Sequence, residues 1–229
     1  MGLVLLIVII PRGRDMEHSS TAGKPNLKRS WIEVVGAYGL IEAALWQRQH
    51  ILLWSITALA WISIMTIAAA PSLRQLGLSG KGLRRSIWIA FAGLILALLI
   101  VLAGDLAGSL HIFTSQPRPP LHALLYGFWA LGQQFLLQSF FLLRFERILG
   151  CGREAVWATA LLFFLAHLPN PVLLAVTAVA APISIELFRR YRNIYSLAIA
   201  HALVGLALAI ALPDGFTHQM KVGLSYLGW

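Results

Sequence analysis

Charged side chains are scarce in this chain of 229 residues. Lys, Arg, Asp and Glu make up 12% of the sequence and hydrophobic residues make up 59%, with a mean hydropathy of +0.76. An ordinary soluble domain has roughly twice that charged share, because charged residues must cover its core. The composition therefore excludes a soluble globular domain, a disordered chain and a coiled coil. It predicts an all-α, polytopic membrane protein.

Cysteine and acidic residues are also rare. The single cysteine, Cys151, excludes an intramolecular disulfide and any metal site built from several thiolates. Eighteen basic residues face nine acidic ones, which gives a net charge of +9. In a soluble protein such an excess would suggest binding to nucleic acid. In a membrane protein basic residues beside the spans orient them toward the cytoplasm, so we expect a lipid bilayer as the partner and no nucleic acid.

The apolar runs predict a bundle of about seven membrane-spanning helices. A span needs about 20 residues, and two of the runs, 34–47 and 155–168, are shorter than that. The predicted helices cover residues 34–47, 51–70, 87–104, 121–143, 155–168, 172–188 and 194–212.

The basic residues alternate along the chain between rich and poor connections. The rich segments hold fifteen Lys and Arg and the poor segments hold three. Because basic loops stay in the cytoplasm, this asymmetry predicts a cytoplasmic N-terminus and a C-terminus outside. The rich segments are 12–30, 71–86, 144–154 and 189–193, and the poor ones are 47–50, 105–120, 169–171 and 213–229.

We divide the chain into four parts. Residues 1–30 are a cytoplasmic lead, 31–120 accessory transmembrane helices, 121–212 a core and 213–229 a short outer tail. The apolar start of the lead is too short to span a membrane. Its arginines follow the apolar stretch, whereas a secretory signal has its positive charge before it. An alternative start at Met16 would make residues 1–15 non-native.

Five polar side chains interrupt the core helices at similar predicted depth: Gln133, Gln134, Gln138, His167 and His201. Polar groups inside a bilayer are costly and mark functional sites, although they also join helices by hydrogen bonds. Gln134 and Gln138 share a helix face, and Gln133 points about 100° away. Two histidines on separate helices could hold a water for acid–base chemistry.

These segments resemble the CPBP family of CAAX prenyl proteases and bacteriocin-processing enzymes, which carries EExxxR, FxxxH and HxxxN or HxxxD on successive helices. QQFLLQ from Gln133 to Gln138 takes the first position. Phe163 to His167 matches FxxxH, and His201 to Gly205 matches the third motif at its histidine. The motifs are 34 residues apart in each case.

The resemblance implies a helical intramembrane endopeptidase that cleaves a membrane-associated or lipid-modified protein. His167 and His201, with Gln133 and Gln134, take the catalytic positions, and Gln138, Phe163 and Gly205 take pocket or orienting ones. No cofactor is implied.

The sequence departs from that pattern at every charged position. Glutamines replace both glutamates and the arginine, and Gly205 replaces the Asn or Asp. A glutamine amide cannot act as a general base. Glu42, midway along its predicted helix, is the best placed substitute carboxylate, whereas Glu186 is expected to pair with Arg189 or Arg190.

Three alternatives stay open. A catalytically altered chain could serve as a scaffold or chaperone for a membrane protein or lipid, or reuse the pocket for a lipid or isoprenoid. A metal held by His167 and His201 would need further ligands from distant segments, and no local HxxxH or HExxH motif supplies them. The other histidines considered fall in or beside outer loops: His50, His111, His122 and His218.

Overall fold

The structure is a computed structural model that describes residues 26–110 and 119–228. These residues form helices and turns without a strand, which confirms the all-α prediction for this part of the chain. The proposed start at Met16, most of the lead and His111 lie outside the described residues. The α-helices are α1 (Leu27–Trp46), α2 (Ile51–Ala69), α3 (Leu83–Leu106), α4 (Pro119–Gln134), α5 (Leu143–Leu149), α6 (Arg153–Leu165), α7 (Pro171–Tyr191), α8 (Tyr195–Ala211) and α9 (Asp214–Thr217). A π-helical segment, Phe135–Leu142, joins α4 to α5, and 3₁₀ turns cover Arg48–His50, Gly80–Gly82, His218–Met220 and Gly223–Ser225.

Two predicted helix boundaries are wrong, and local capping explains both. Helix α1 begins seven residues before the predicted 34, because the Asn26 side chain accepts a hydrogen bond from Arg29 N at 3.0 Å. Helix α6 ends at Leu165 instead of 168. Pro169 lacks a backbone donor and disfavours helical geometry in the residue before it, so the chain leaves the helix ahead of it.

Three helical segments are long and apolar enough to cross a membrane: Ile51–Ala69, Gly80–Leu106 and Pro171–Tyr191. Tyr195–Ala211 is also apolar but shorter. Large apolar side chains on these helices are exposed, such as Phe91 at 60% and Leu102 at 53%. The chain is thus an integral membrane protein, while the count of about seven spans stays a prediction.

Helices α3 and α8 pack closely through small residues. A Cβ added to Gly93 would lie 2.6 Å from the Ala200 Cα atom, and one on Gly104 would lie 2.8 Å from the Ala211 Cβ atom. The Ser86 and Ser196 hydroxyls share a buried hydrogen bond of 2.9 Å. Such small-residue contacts are how transmembrane helices approach one another, and they fix α8 within the bundle.

The basic segments meet at one end of the bundle. Ile194 N donates to Gly77 O at 3.1 Å, and Arg189 Nε lies 3.1 Å from Glu146 Oε1. At the opposite end, Gly223 N donates to Leu168 O at 2.8 Å. This grouping matches the alternation of basic-rich and basic-poor segments, and which side of the membrane each end faces stays a prediction.

A buried ion pair joins α1 to α5. Arg144 Nε lies 2.8 Å from Glu33 Oε2, and both side chains are at most 3% exposed. Arg29 Nε lies 2.8 Å from the second oxygen of Glu33, and the Arg144 guanidinium lies 3.5 Å from the centroid of the Phe140 ring. The pair anchors the accessory helix α1 against the core helices, and it is not among the predicted ion pairs.

Candidate functional site

A chain of hydrogen bonds connects three helices inside the core. Gln134, the last residue of α4, has its Nε2 atom 3.3 Å from His201 Nδ1 on α8. Gln138 Nε2 donates to Gln134 Oε1 at 3.3 Å and to Ser184 Oγ on α7 at 3.2 Å. The predicted pair Gln134 and Gln138 therefore lies beside the predicted histidine His201. Gln133 is only half-buried, on another side of α4.

The second histidine lies outside a helix. Because α6 ends at Leu165, His167 is in the turn that leads to α7, which corrects its predicted place within a helix. Its ring is buried, and Nδ1 lies 2.6 Å from Phe163 O one turn earlier. The backbone at the end of α6 thus fixes the orientation of the ring.

Phe163 brings the two histidines to one place. Its ring centroid lies 4.7 Å from that of His167 and 6.5 Å from that of His201. Both imidazoles contact a single phenyl ring. The second and third motifs of the resemblance therefore meet at Phe163.

The partners of the histidines determine which ring nitrogen carries the proton in the neutral form. The Phe163 carbonyl can only accept a hydrogen bond, so His167 Nδ1 carries the hydrogen and its Nε2 keeps a lone pair. Gln134 Oε1 already accepts from Gln138, so the Gln134 amide group donates to His201 Nδ1. His201 then carries its hydrogen on Nε2. One imidazole offers an acceptor and the other a donor.

Gln138 leaves one polar atom without a partner. Its side chain is fully buried, and its Oε1 atom has no hydrogen-bond partner among the described residues. An unsatisfied buried acceptor is costly, so this atom is a candidate group for binding a ligand or a water molecule. Gln138 Oε1 is therefore an open acceptor next to Gln134.

Tyr126 occupies the space beside Gly205. A Cβ at Gly205, one turn after His201, would overlap the Tyr126 hydroxyl of α4. The missing Asn or Asp of the third motif thus coincides with a tyrosine whose ring fills its place. Tyr126 and Ser184 are not among the predicted site residues. The available signals were the two-turn spacing of Tyr126 from Gln133 and the position of Ser184 as one of the few hydroxyl side chains among the apolar residues of α7.

Gly205→Ala is expected to destabilise the protein by about 1–3 kcal/mol, because the new methyl group overlaps the Tyr126 hydroxyl. Adding Tyr126→Phe should recover part of that loss. Gly132→Ala is the matched control, since nothing lies within 4 Å of its Cβ position. Thermal unfolding in detergent measures all of these variants, and equal stability of Gly205→Ala and Gly132→Ala would contradict the assigned contact.

One oxygen of the predicted substitute carboxylate is hydrogen-bonded within its own helix. Glu42 Oε2 accepts a hydrogen bond of 3.0 Å from Trp46 Nε1 on the same helix. Within the described ranges, no hydrogen bond or ion pair joins Glu42 to His167 or His201. Its role as an orienting or catalytic group stays a prediction.

Glu186 Oε1 lies 3.3 Å from Arg189 Nη1 at the end of the bundle where the basic segments meet. The predicted ion pair is confirmed with Arg189.

No three His, Cys, Asp or Glu side chains in the described part of the chain are placed to hold a metal ion. The Gln134–Gln138–His167–His201 cluster consists of uncharged hydrogen-bonding groups. Its geometry suits the polarisation of a water molecule and of a carbonyl group.

Residues 118–207 match the model of the Rce1-like family, described as type II CAAX prenyl endopeptidase Rce1-like. The match covers the segment from the start of α4 to near the end of α8, and it includes all three polar motifs. It confirms the resemblance inferred from the sequence. No curated protein and no solved structure matches the chain.

Proposed function

Because residues 118–207 are similar to the Rce1-like CAAX prenyl endopeptidases, we propose that this chain is an intramembrane endopeptidase with an uncharged active site. The observation that carries the proposal is the fixed orientation of His167. Its Nδ1 atom is hydrogen-bonded to the Phe163 carbonyl, which leaves a basic lone pair on Nε2, and the Phe163 ring contacts both His167 and His201. A general base of this kind is what peptide hydrolysis requires when no carboxylate takes part.

The histidines have different roles in the proposed reaction. His167 Nε2 removes a proton from a water molecule, and the water oxygen attacks the scissile carbonyl carbon. The negative charge that develops on the carbonyl oxygen accepts a hydrogen bond from His201 Nε2–H. His167 then returns the proton to the leaving nitrogen as the C–N bond breaks, which regenerates the neutral imidazole.

The glutamines position these groups and the peptide. Gln134 holds His201 through Nδ1, which keeps the hydrogen on Nε2. Gln138 Oε1, the buried acceptor without a partner, accepts a hydrogen bond from a peptide N–H group. Gln138 is fixed in turn by Ser184. In this arrangement the amides orient the substrate and the histidines carry the proton.

The proposed substrate is a membrane-associated protein or lipid-modified peptide. The resemblance supports this class, and so does the position of the site among helices with exposed apolar faces. A lipid-modified segment can reach such a site from the bilayer, where its apolar part stays buried.

The full chain in liposomes should cleave a prenylated peptide reporter at one position and leave the same peptide without its lipid uncut. Mass spectrometry of the products identifies the new termini. The control is the reporter in liposomes without protein. Failure to cleave any prenylated or transmembrane reporter, with the protein folded, would contradict the peptidase proposal.

A second function, a non-catalytic scaffold or chaperone, is favoured by one observation. Glutamines stand where the resembling family has its charged residues, and no carboxylate is hydrogen-bonded to His167 or His201 in the described part of the chain. Under this alternative the cluster binds a peptide or lipid through neutral hydrogen bonds. Saturable binding of the uncut reporter would support the scaffold.

A further inference from the structure

Five cationic side chains surround a cavity at the basic end of the bundle. The cavity has a volume of about 110 Å³. It is lined by the α2–α3 connection with the start of α3 and by the end of α7, which are far apart in the sequence. No carboxylate is among its lining residues. The cations are Arg74, Lys81, Arg85, Arg190 and Arg192.

Most of this positive charge has no counter-ion within the described residues. Arg192 Nη2 lies 3.5 Å from Glu146 Oε2, and that carboxylate is shared with Arg189 at 3.1 Å. In the part of the chain that the structure describes, no carboxylate pairs with the other four cations. A bias toward basic cytoplasmic loops explains the number of these residues. It does not explain why two distant segments converge on one cavity.

The two segments are held together by hydrogen bonds, so the cavity is a built feature of the fold. Asn193 Nδ2 donates to Ser79 O at 3.3 Å, and Tyr195 Oη donates to Leu78 O at 3.2 Å. A Cβ at Gly82 would overlap the Tyr191 carbonyl oxygen, so only glycine allows this close approach. The backbone therefore keeps the cations near one another despite their mutual repulsion.

Aromatic residues place the cavity at the depth of lipid headgroups. Trp88 Nε1 donates to the hydroxyl of Tyr191, a lining residue, at 3.2 Å. Trp and Tyr collect at the boundary between headgroups and acyl chains. Below Trp88, α3 exposes an apolar strip that contains Phe91, Ile95 and Leu99, each 57–60% exposed. A phospholipid with its phosphate in the cavity would thus place its acyl chains along α3.

We propose that this cavity binds the phosphate of an anionic phospholipid, with Arg85 of α3 and Arg190 of α7 as ligands. Guanidinium groups suit phosphate because they donate paired hydrogen bonds to its oxygens. Basic pockets between transmembrane helices recognise lipid headgroups through the same chemistry. The lipid would connect the α2–α3 loop to α7, the helix that carries Ser184 of the candidate site.

The test is thermal unfolding of the full chain in neutral detergent, titrated with phosphatidylglycerol, phosphatidylcholine or inorganic phosphate. Phosphatidylglycerol should raise the Tm saturably and phosphatidylcholine should not. The variant Arg85→Gln/Arg190→Gln should weaken the apparent affinity for phosphatidylglycerol about tenfold or more, since each basic residue near the membrane surface contributes about 1 kcal/mol.

Arg84→Gln is the matched control, because Arg84 neighbours Arg85 on α3 but does not line the cavity. It should shift the affinity less than about threefold, as an exposed charge outside the site does. Equal weakening by Arg84→Gln and the cavity variant would overturn the proposal, as would equal stabilisation by both lipids. If the double variant does not fold, the single cavity variant Lys81→Gln replaces it, and it should weaken the affinity for phosphatidylglycerol more than Arg84→Gln does. Saturation by inorganic phosphate as tightly as by phosphatidylglycerol would overturn the assignment to a lipid.

Discussion

Replacing His167 or His201 by alanine is expected to lower the rate of reporter cleavage at least about 100-fold, because His167 transfers the proton and His201 stabilises the oxyanion in the proposed reaction. The loss should appear in kcat. His167→Ala removes the acceptor that takes the proton from water, and His201→Ala removes the donor to the carbonyl oxygen. Cleavage rates in liposomes measure both effects.

His50→Ala is the matched control for these variants. His50 is exposed at the start of α2 and makes no capping hydrogen bond through its side chain. It should cleave at the wild-type rate, and all three variants should give the wild-type elution profile in size-exclusion chromatography. Unchanged cleavage in His167→Ala and His201→Ala would refute the proposed chemistry.

Arg144→Met is expected to destabilise the protein by about 3–5 kcal/mol, because it leaves the Glu33 carboxylate buried without its main partner. Arg29 still contacts Glu33, but its side chain is 49% exposed. The hydrogen bond from Arg144 Nη1 to Phe140 O is lost as well. Denaturant unfolding in detergent, followed by tryptophan fluorescence, measures the change.

The double variant Glu33→Leu/Arg144→Met should be more stable than Arg144→Met, because it removes the unpaired charge along with its partner. Arg147→Met is the control on the same helix, since Arg147 is exposed. It should change the stability by less than about 0.5 kcal/mol. A loss of stability in Arg144→Met no larger than that of Arg147→Met would contradict the stabilising role of the buried pair.

The helical fold could be predicted from the apolar runs, while the helix ends depend on capping that the runs do not reveal. The start of α1 is not predicted, because the apolar run that places the helix begins at residue 34, after the charged residues Lys28, Arg29 and Glu33. In the structure Glu33 is neutralised by two arginines, one of them 111 residues away in the chain. A charged residue inside a helix is acceptable when its partner comes from another helix, and a single segment cannot show that partner.

The candidate site could be predicted in part. The sequence predicts a shared site because polar residues at similar depth are costly unless they meet. The predicted residues are Gln133, Gln134, Gln138, His167 and His201. The structure brings Gln134 and Gln138 to His201, with Phe163 between the histidines. Which face of α4 meets α8 depends on helix rotation, so the sequence did not distinguish Gln133 from Gln134. The contacts of Ser184 and Tyr126 depend on the same rotation.

The central claim is that the two neutral histidines catalyse the reaction without a carboxylate, with His167 transferring the proton and His201 stabilising the oxyanion. The most direct measurement compares reporter cleavage by the wild type and by Glu42→Gln in H₂¹⁸O. The account predicts equal rates within about twofold, since a group outside the proton path changes the barrier by less than about 0.5 kcal/mol. It also predicts one ¹⁸O atom in the new carboxyl terminus of each product. A loss of about 100-fold or more in Glu42→Gln, with the protein folded, would show that Glu42 supplies the base and would contradict the account.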